Sequence, residues 1–168
     1  MTYPNRLCRG FIVLGCFAVL GFCPIAAAGD HNLPLKGTCT TVVTVLTPPG
    51  VFPQDLQIDS DCIYSHLGRT TGLSIQRVTP TGQSDVVVTA SLEATTDYTA
   101  ANGDVLHQTF IGVGTINVQT GEVNFMGTET FAGGSGRFAD AAGSADLEGG
   151  ASIFTNTGFF SSKGKLSY

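Results

Sequence analysis

From residue 47 onward, turn-forming clusters punctuate this chain at short intervals. "TPPG" (47–50), "TPTGQ" (79–83), "AANGD" (101–104 with its preceding alanine), "QTGE" (119–122), "GGSG" (133–136) and "TNTG" (155–158) each combine residues that favour tight turns. The intervening runs are rich in valine, threonine and phenylalanine, and none repeats apolar residues at helical spacing. Glycine, at 22 of 168 residues, stands at nearly twice its usual share of about 7%, so close backbone packing and tight corners are to be expected. The spacing predicts eight strands, near 38–47, 54–59, 66–78, 84–97, 104–118, 122–132, 143–155 and 158–168. Short hairpins between them fit either a sandwich or an up-and-down barrel.

Alternation favours the barrel. In "SDVVVTASLEATTD", Val86, Val88, Ala90, Leu92 and Ala94 share one face, opposite Asp85, Thr89, Ser91, Glu93 and Asp97. In "GFFSSKGKLSY", Gly158, Phe160, Ser162, Gly164, Leu166 and Tyr168 share a face, while Ser161, Lys163 and Lys165 lie on the other. Small residues mixed with large ones on the apolar face suit the interior of a small barrel, and closure removes the exposed edges of a single sheet. The expected fold is all-β: one eight-stranded antiparallel up-and-down barrel over residues 29–168.

Residues 1–28 read as a secretory signal peptide, with Arg6 and Arg9 before an apolar core and Ala26-Ala27-Ala28 at the cleavage point. The rival is a membrane anchor, against which Pro24 and the small residues argue. Of eight basic residues, two leave with this leader, so six face thirteen acidic ones, a net charge of −7. Such a surface repels nucleic acid and anionic headgroups. Two cysteines remain, Cys39 and Cys62; in an exported chain an even pair is most simply a disulfide. The alternative, a metal or catalytic thiol, has only His66 nearby, and the three histidines have no zinc-binding spacing. No metal is expected, and the location is extracellular or periplasmic.

"GGSGRFADAAG" (Gly133–Gly143) raises the question of a phosphate loop. Such a loop needs a following helix whose first amides face the anion, and neither the Walker nor the dinucleotide spacing is met here. Gly133, Gly134 and Gly136 are better read as a corner that permits positive φ, with Arg137 pairing with Asp140 or capping carbonyls. The longer segment "FAGGSGRFADAAGSADLEG" resembles the GGTG-x-F-x-x-A-x-G segment of dirigent proteins and of secreted bacterial members of the allene oxide cyclase-like barrel superfamily. "SHLGRTT" (65–71) and the closing "SKGKLSY" are similar to pieces of that bacterial group. The resemblance spans roughly residues 99–168, with a weaker patch at 65–71. It implies an eight-stranded barrel with a central cavity, no cofactor, and assembly as a homo-oligomer. Dirigent proteins direct the coupling of phenoxyl radicals, and allene oxide cyclases fold an unstable epoxide for ring closure. The shared motif is the corner rather than the pocket, so no catalytic residue carries over.

Glu129 is the sharpest chemical candidate. In "EVNFMGTETFA", Val123, Phe125, Gly127, Glu129 and Phe131 share a face, which puts a carboxylate on an apolar stripe where its pKa would rise. Against this stand a register slip near the strand end and neutralisation by Arg137. His107 shares its face with Val105, Thr109, Ile111 and Val113, which could be the inside or a mixed outer wall. His66 sits at a strand start, and no serine lies in a nucleophile elbow. Tyr168 ends an alternating strand as in some outer-membrane barrels, but the chain lacks tryptophan and an apolar lipid-facing band; sealing the barrel wall is the plainer role. Three readings follow. The first is a barrel that binds a small, largely apolar molecule without cofactor, contacted by Phe125, Phe131, Phe160 and Tyr168. The second is a cyclase or isomerase using Glu129 or His107 for proton transfer. The third is a filled structural or adhesion module.

Overall fold

The computed structural model describes residues 32–48 and 50–168. The expected leader, 1–28, and His31 lie outside them. Eight strands follow in chain order: β1 (Leu33–Val45), β2 (Gln54–Tyr64), β3 (Gly68–Gln83), β4 (Val87–Ala100), β5 (Val105–Asn117), β6 (Glu122–Gly134), β7 (Ala142–Ser152) and β8 (Thr157–Ser167). Each pairs antiparallel with the next, and β8 returns to β1 in register from Leu33↔Leu166 to Val42↔Thr157, closing the barrel. Among the described residues, the only other regular element is one 3-10 turn, Gly136–Phe138, between β6 and β7.

Strand residues alternate between wall faces as the sequence pattern requires. Ala90, Leu92, Thr96, Tyr98 and Ala100 of β4 are buried inside, as are Phe160, Ser162 and Leu166 of β8. Several strand limits differ from expectation. β2 runs on to Tyr64, because Asp59 and Asp61 point outward while Ser60 and Cys62 alternate inward; their polarity reads as a turn although the backbone stays extended. The stretch 79–83 is no turn either. It is the end of β3, carrying an irregularity between Pro80 and Gly82, where a missing N–H is tolerated. The hairpin comes at Ser84, whose N–H donates to the Val87 carbonyl at 2.8 Å. β7 ends at Ser152 rather than 155, since Asn156 takes a positive φ of 54° in the turn to β8.

One end of the barrel is filled. Leu35, Leu67, Leu106, Phe131, Phe138 and Leu166 are all buried there. The glycine run makes its corner: Gly133 and Gly136 have φ of 72° and 58°, as a left-handed turn demands. That corner delivers the Phe138 ring to the barrel end, 5.1 Å from the Tyr168 ring in an edge contact. Arg137 lies over both rings, at 4.6 Å and 5.7 Å, and donates to the Leu67 carbonyl at 3.3 Å. Its ionic partner is Asp104, at 3.9 Å, in place of the expected Asp140; the turn directs it back toward the β4–β5 hairpin.

Cys39 and Cys62 face each other in the β1–β2 register and form a disulfide on the buried inner wall. The bond closes a loop of sequence separation 23. In the chain-entropy account, such a loop is worth roughly 3 kcal/mol. Replacing both residues (Cys39→Ala with Cys62→Ala) is expected to lower unfolding free energy by about that amount. Urea unfolding of oxidised, reduced and double-alanine protein measures it; equal midpoints for all three would show that the bond adds nothing.

Candidate functional site

The other half of the barrel is hollow. A cavity of about 490 Å³ opens between the β1–β2, β3–β4, β5–β6 and β7–β8 loops. Its walls are mostly apolar, with Leu56, Val78, Leu92, Phe110, Phe125, Leu147 and Phe160 among the larger contributors. Small residues create the space. Gly112 and Gly127 are cross-strand partners on the inner face, and the Phe110 ring lies in the slot they leave. A Cβ on Gly127 would stand 2.3 Å from the Ile111 carbonyl and 2.7 Å from that ring, so any larger residue would push Phe110 into the cavity. Leu46, Val51, Phe52, Val118, Ile153 and Phe154 leave apolar surface exposed on the loops and strand ends around the mouth.

The floor is polar. Glu129 is fully buried, with relative exposure of 0%, and it lines the cavity together with Tyr98, Gln108, Ser74 and Thr96. Its Oε1 accepts from the Tyr98 hydroxyl at 3.3 Å and from Gln108 Nε2 at 3.3 Å. Tyr64 in turn donates to the Tyr98 hydroxyl at 3.4 Å, from a ring stacked edge-on at 5.5 Å. Ser74 and Thr96 share a hydroxyl bond of 2.7 Å. Glu129 Oε2 and Gln108 Oε1 have no partner, and the Ser162 hydroxyl, beside the same carboxylate, makes no hydrogen bond of good geometry. Removal from water pushes the Glu129 carboxyl up to about 7, against the smaller opposing influence of the Ser162 and Tyr98 hydroxyls. Burial, with the nearby carboxylate, also holds the Tyr64 and Tyr98 phenols well above their usual range, so both remain proton donors.

The candidate residues therefore separate. Glu129 points inward with neither a register slip nor Arg137 against it. Phe125 and Phe160 line the cavity. Phe131 and Tyr168 do not: Phe131 lies in the filled half, and Tyr168 caps that end, its hydroxyl donating to the His66 carbonyl at 3.3 Å. His107 is on the outer wall, its Nδ1 2.7 Å from an Asp97 carboxylate oxygen, so it has no access to the interior. Ile111 (70% exposed) and Val113 (59%) share that outer face, which is why an apolar pattern there misleads. His66 occupies the β2–β3 turn with φ of 67°. Tyr98, Gln108 and Phe110 were the residues missed. Extending the Ala90–Leu92–Ala94 face two steps reaches Tyr98, while Gln108 and Phe110 fall on the even-numbered face of β5, which carries less obvious apolar character.

Among the described residues, no group of three or more His, Cys, Asp and Glu side chains could hold a metal ion, and no helix is long and apolar enough to cross a membrane. No family model, curated protein or solved structure matches the chain.

The raised carboxyl has a thermodynamic signature. With a value of 4.5 in the unfolded chain and about 7 in the folded one, Glu129 holds its proton more tightly when folded. Its contribution is complete below about pH 4.5 and is lost as pH rises through about 7. The loss approaches about 3 kcal/mol at 1.36 kcal/mol per pH unit. Denaturant unfolding across pH 5 to 8 is expected to show falling stability in the wild type and a much flatter profile in Glu129→Gln. Parallel profiles would show that Glu129 titrates normally.

Proposed function

We propose that the protein is an exported barrel that binds one small, largely apolar molecule in its open half, with the polar floor fixing the molecule's orientation. The observation that carries this reading is the cavity itself: an eight-stranded barrel is wide enough either to be filled by side chains or to hold one small ligand, and here only one end is filled. At about 30 Å³ per water-sized group, the space would take roughly sixteen such groups. Burial of apolar surface would supply the affinity, at about 25 cal/mol per Å² before the costs of association. The buried disulfide and the sequence of the first 28 residues support export. The Gly133–Gly143 segment and the eight-stranded closure support placing the chain in the allene oxide cyclase-like superfamily, which would make a homo-oligomer the expected state.

A second reading is favoured by one specific observation, the carboxyl held near 7 inside an apolar chamber. A group so poised can pass a proton at neutral pH, as a cofactor-free cyclase or isomerase would need. Glu129→Gln separates the two: binding retained with turnover abolished marks the enzyme, whereas a ligand recovered unchanged marks the binder.

Native mass spectrometry of protein purified from its own medium is expected to show a mass excess that disappears on denaturation. The neutral dye N-phenyl-1-naphthylamine is expected to brighten on binding the wild type and to lose at least about tenfold in affinity in Ala151→Trp, which places an indole at the cavity mouth. A bare mass together with no dye uptake would leave the structural module as the surviving reading.

A further inference from the structure

The cavity opens through a rim without charge on three of its four loops. Charged side chains are mostly found exposed, yet 46–54, 116–121 and 151–158 contain no Asp, Glu, Lys or Arg. Leu46, Val51, Phe52, Val118, Ile153 and Phe154 stand there instead, between 45% and 66% exposed. Val45, Phe52, Val118 and Ile153 also line the cavity, so one apolar surface runs from the interior out over the rim. The three loops are neighbours around the ring, because β6 pairs with β7 and β8 with β1. They form an arc, and the remaining loop at the mouth, β3–β4, carries the exposed Asp85.

The arc is tied together by its own backbone. The Ile153 N–H donates to the Gly121 carbonyl at 2.9 Å, and the Val43 N–H donates to the Asn156 carbonyl at 2.8 Å, so the β7–β8 turn is fixed to both neighbours. The Phe154 ring lies over Gly121, where a Cβ would stand 2.6 Å from it. Apolar side chains held in place lose little freedom on binding, and a contiguous exposed patch of them marks an interaction site. Three features select a lipid surface over a protein partner. Closure leaves no strand edge to which a peptide could add. The arc has no arginine, a residue in which protein interfaces are enriched. An apolar occupant of the cavity behind it resides in lipid rather than in water. Charge then selects the kind of lipid. Among the described residues, the only lysine or arginine on the mouth half is Arg77, paired with Asp55 at 2.9 Å. Lys163 is at mid-wall, and Lys36, Arg69, Arg137 and Lys165 lie toward the filled end. Asp85 and Glu122 flank the arc, so anionic headgroups gain nothing there.

We infer that the arc of Leu46, Val51, Phe52, Val118, Ile153 and Phe154 is a docking surface for an electrically neutral lipid bilayer, set among the headgroups with the cavity mouth facing the membrane. The choice of lipid rests on the cavity being a site for an apolar ligand. Apolar burial supplies the attraction, without the basic patch on which attachment to anionic membranes depends.

The chain has no tryptophan, so Phe154→Trp gives a single fluorescent reporter on the arc and Ile111→Trp one on the outer wall, where the native side chain is also exposed. Each is mixed with phosphatidylcholine vesicles, plain or brominated in the acyl chains, with and without phosphatidylglycerol. The expected result is a blue shift and bromine quenching of the first reporter alone, little changed by salt. Added phosphatidylglycerol is expected to strengthen binding by less than about twofold. In vesicle sedimentation, Leu46→Ser, Val51→Ser and Phe154→Ser together are expected to weaken binding at least about tenfold. Uptake of N-phenyl-1-naphthylamine is expected to persist in that variant, because none of the three residues lines the cavity. Ile111→Ser with Met126→Ser removes exposed apolar surface from the outer wall and is expected to leave vesicle binding within about twofold of wild type. Binding only in the presence of phosphatidylglycerol, or equal quenching of both reporters, would overturn the docking surface. So would no binding of the wild type to either vesicle, which would leave the arc to a protein partner. Dye uptake in the same samples judges the cavity separately: uptake without vesicle binding keeps the cavity reading and removes the docking surface, and vesicle binding without uptake does the reverse.

Discussion

Ring closure is the constraint from which the rest of the molecule follows. Once β8 pairs with β1 from Leu33↔Leu166 to Val42↔Thr157, no strand has a free edge and every side chain is assigned to the inside or the outside. A slip of one residue in any pair would exchange the two faces, placing Glu129, Tyr98 and Phe110 in water and Asp97, His107 and Ile111 in the core. The cost of that exchange on eight strands at once is what makes the register unambiguous. The disulfide reinforces it at one point, since Cys39 and Cys62 can only meet when β1 and β2 are correctly aligned.

Within that frame, residue size decides where the barrel is solid. The glycine-run corner contributes a whole aromatic ring, Phe138, to the filled end, where it packs with Leu35, Leu67 and Leu166 and is roofed by Tyr168 and Arg137. Toward the mouth, Ala90, Ala94, Gly114 and Ala151 are interspersed among the larger residues of the cavity wall. Gly112 and Gly127 leave the slot in which the Phe110 ring lies, so the hollow depends on close backbone approach as much as on missing side chains.

Glu129 sits at the boundary between the two halves, and its position explains its chemistry. The filled end keeps water out from below and the apolar walls limit solvation from above, so a carboxylate that would be ordinary on the outer wall is held near neutrality. Tyr98 and Gln108 stabilise one of its oxygens and leave the other buried without a partner. Asp55 and Asp61 show the contrast: on the outer wall, paired with Arg77 and Arg69, their carboxyls are shifted downward.

Much of this architecture was legible in the chain. Turn clusters and period-two alternation determine eight antiparallel strands, because both are local: a glycine with positive φ or an alternating Val-x-Ala-x-Leu run means the same thing wherever it packs. They also determine that Glu129 shares a face with Phe125. What alternation cannot tell is which face is inside when both carry apolar residues, as on β5, where Ile111 and Val113 point out and Gln108 points in. Nor can it tell that Phe138, outside any strand, plugs the barrel, or that Tyr98, Gln108 and Glu129 converge from three strands. Those outcomes were decided only by the tertiary structure. Closure brings together residues that are distant in sequence, and the volume left between them depends on all eight strands at once.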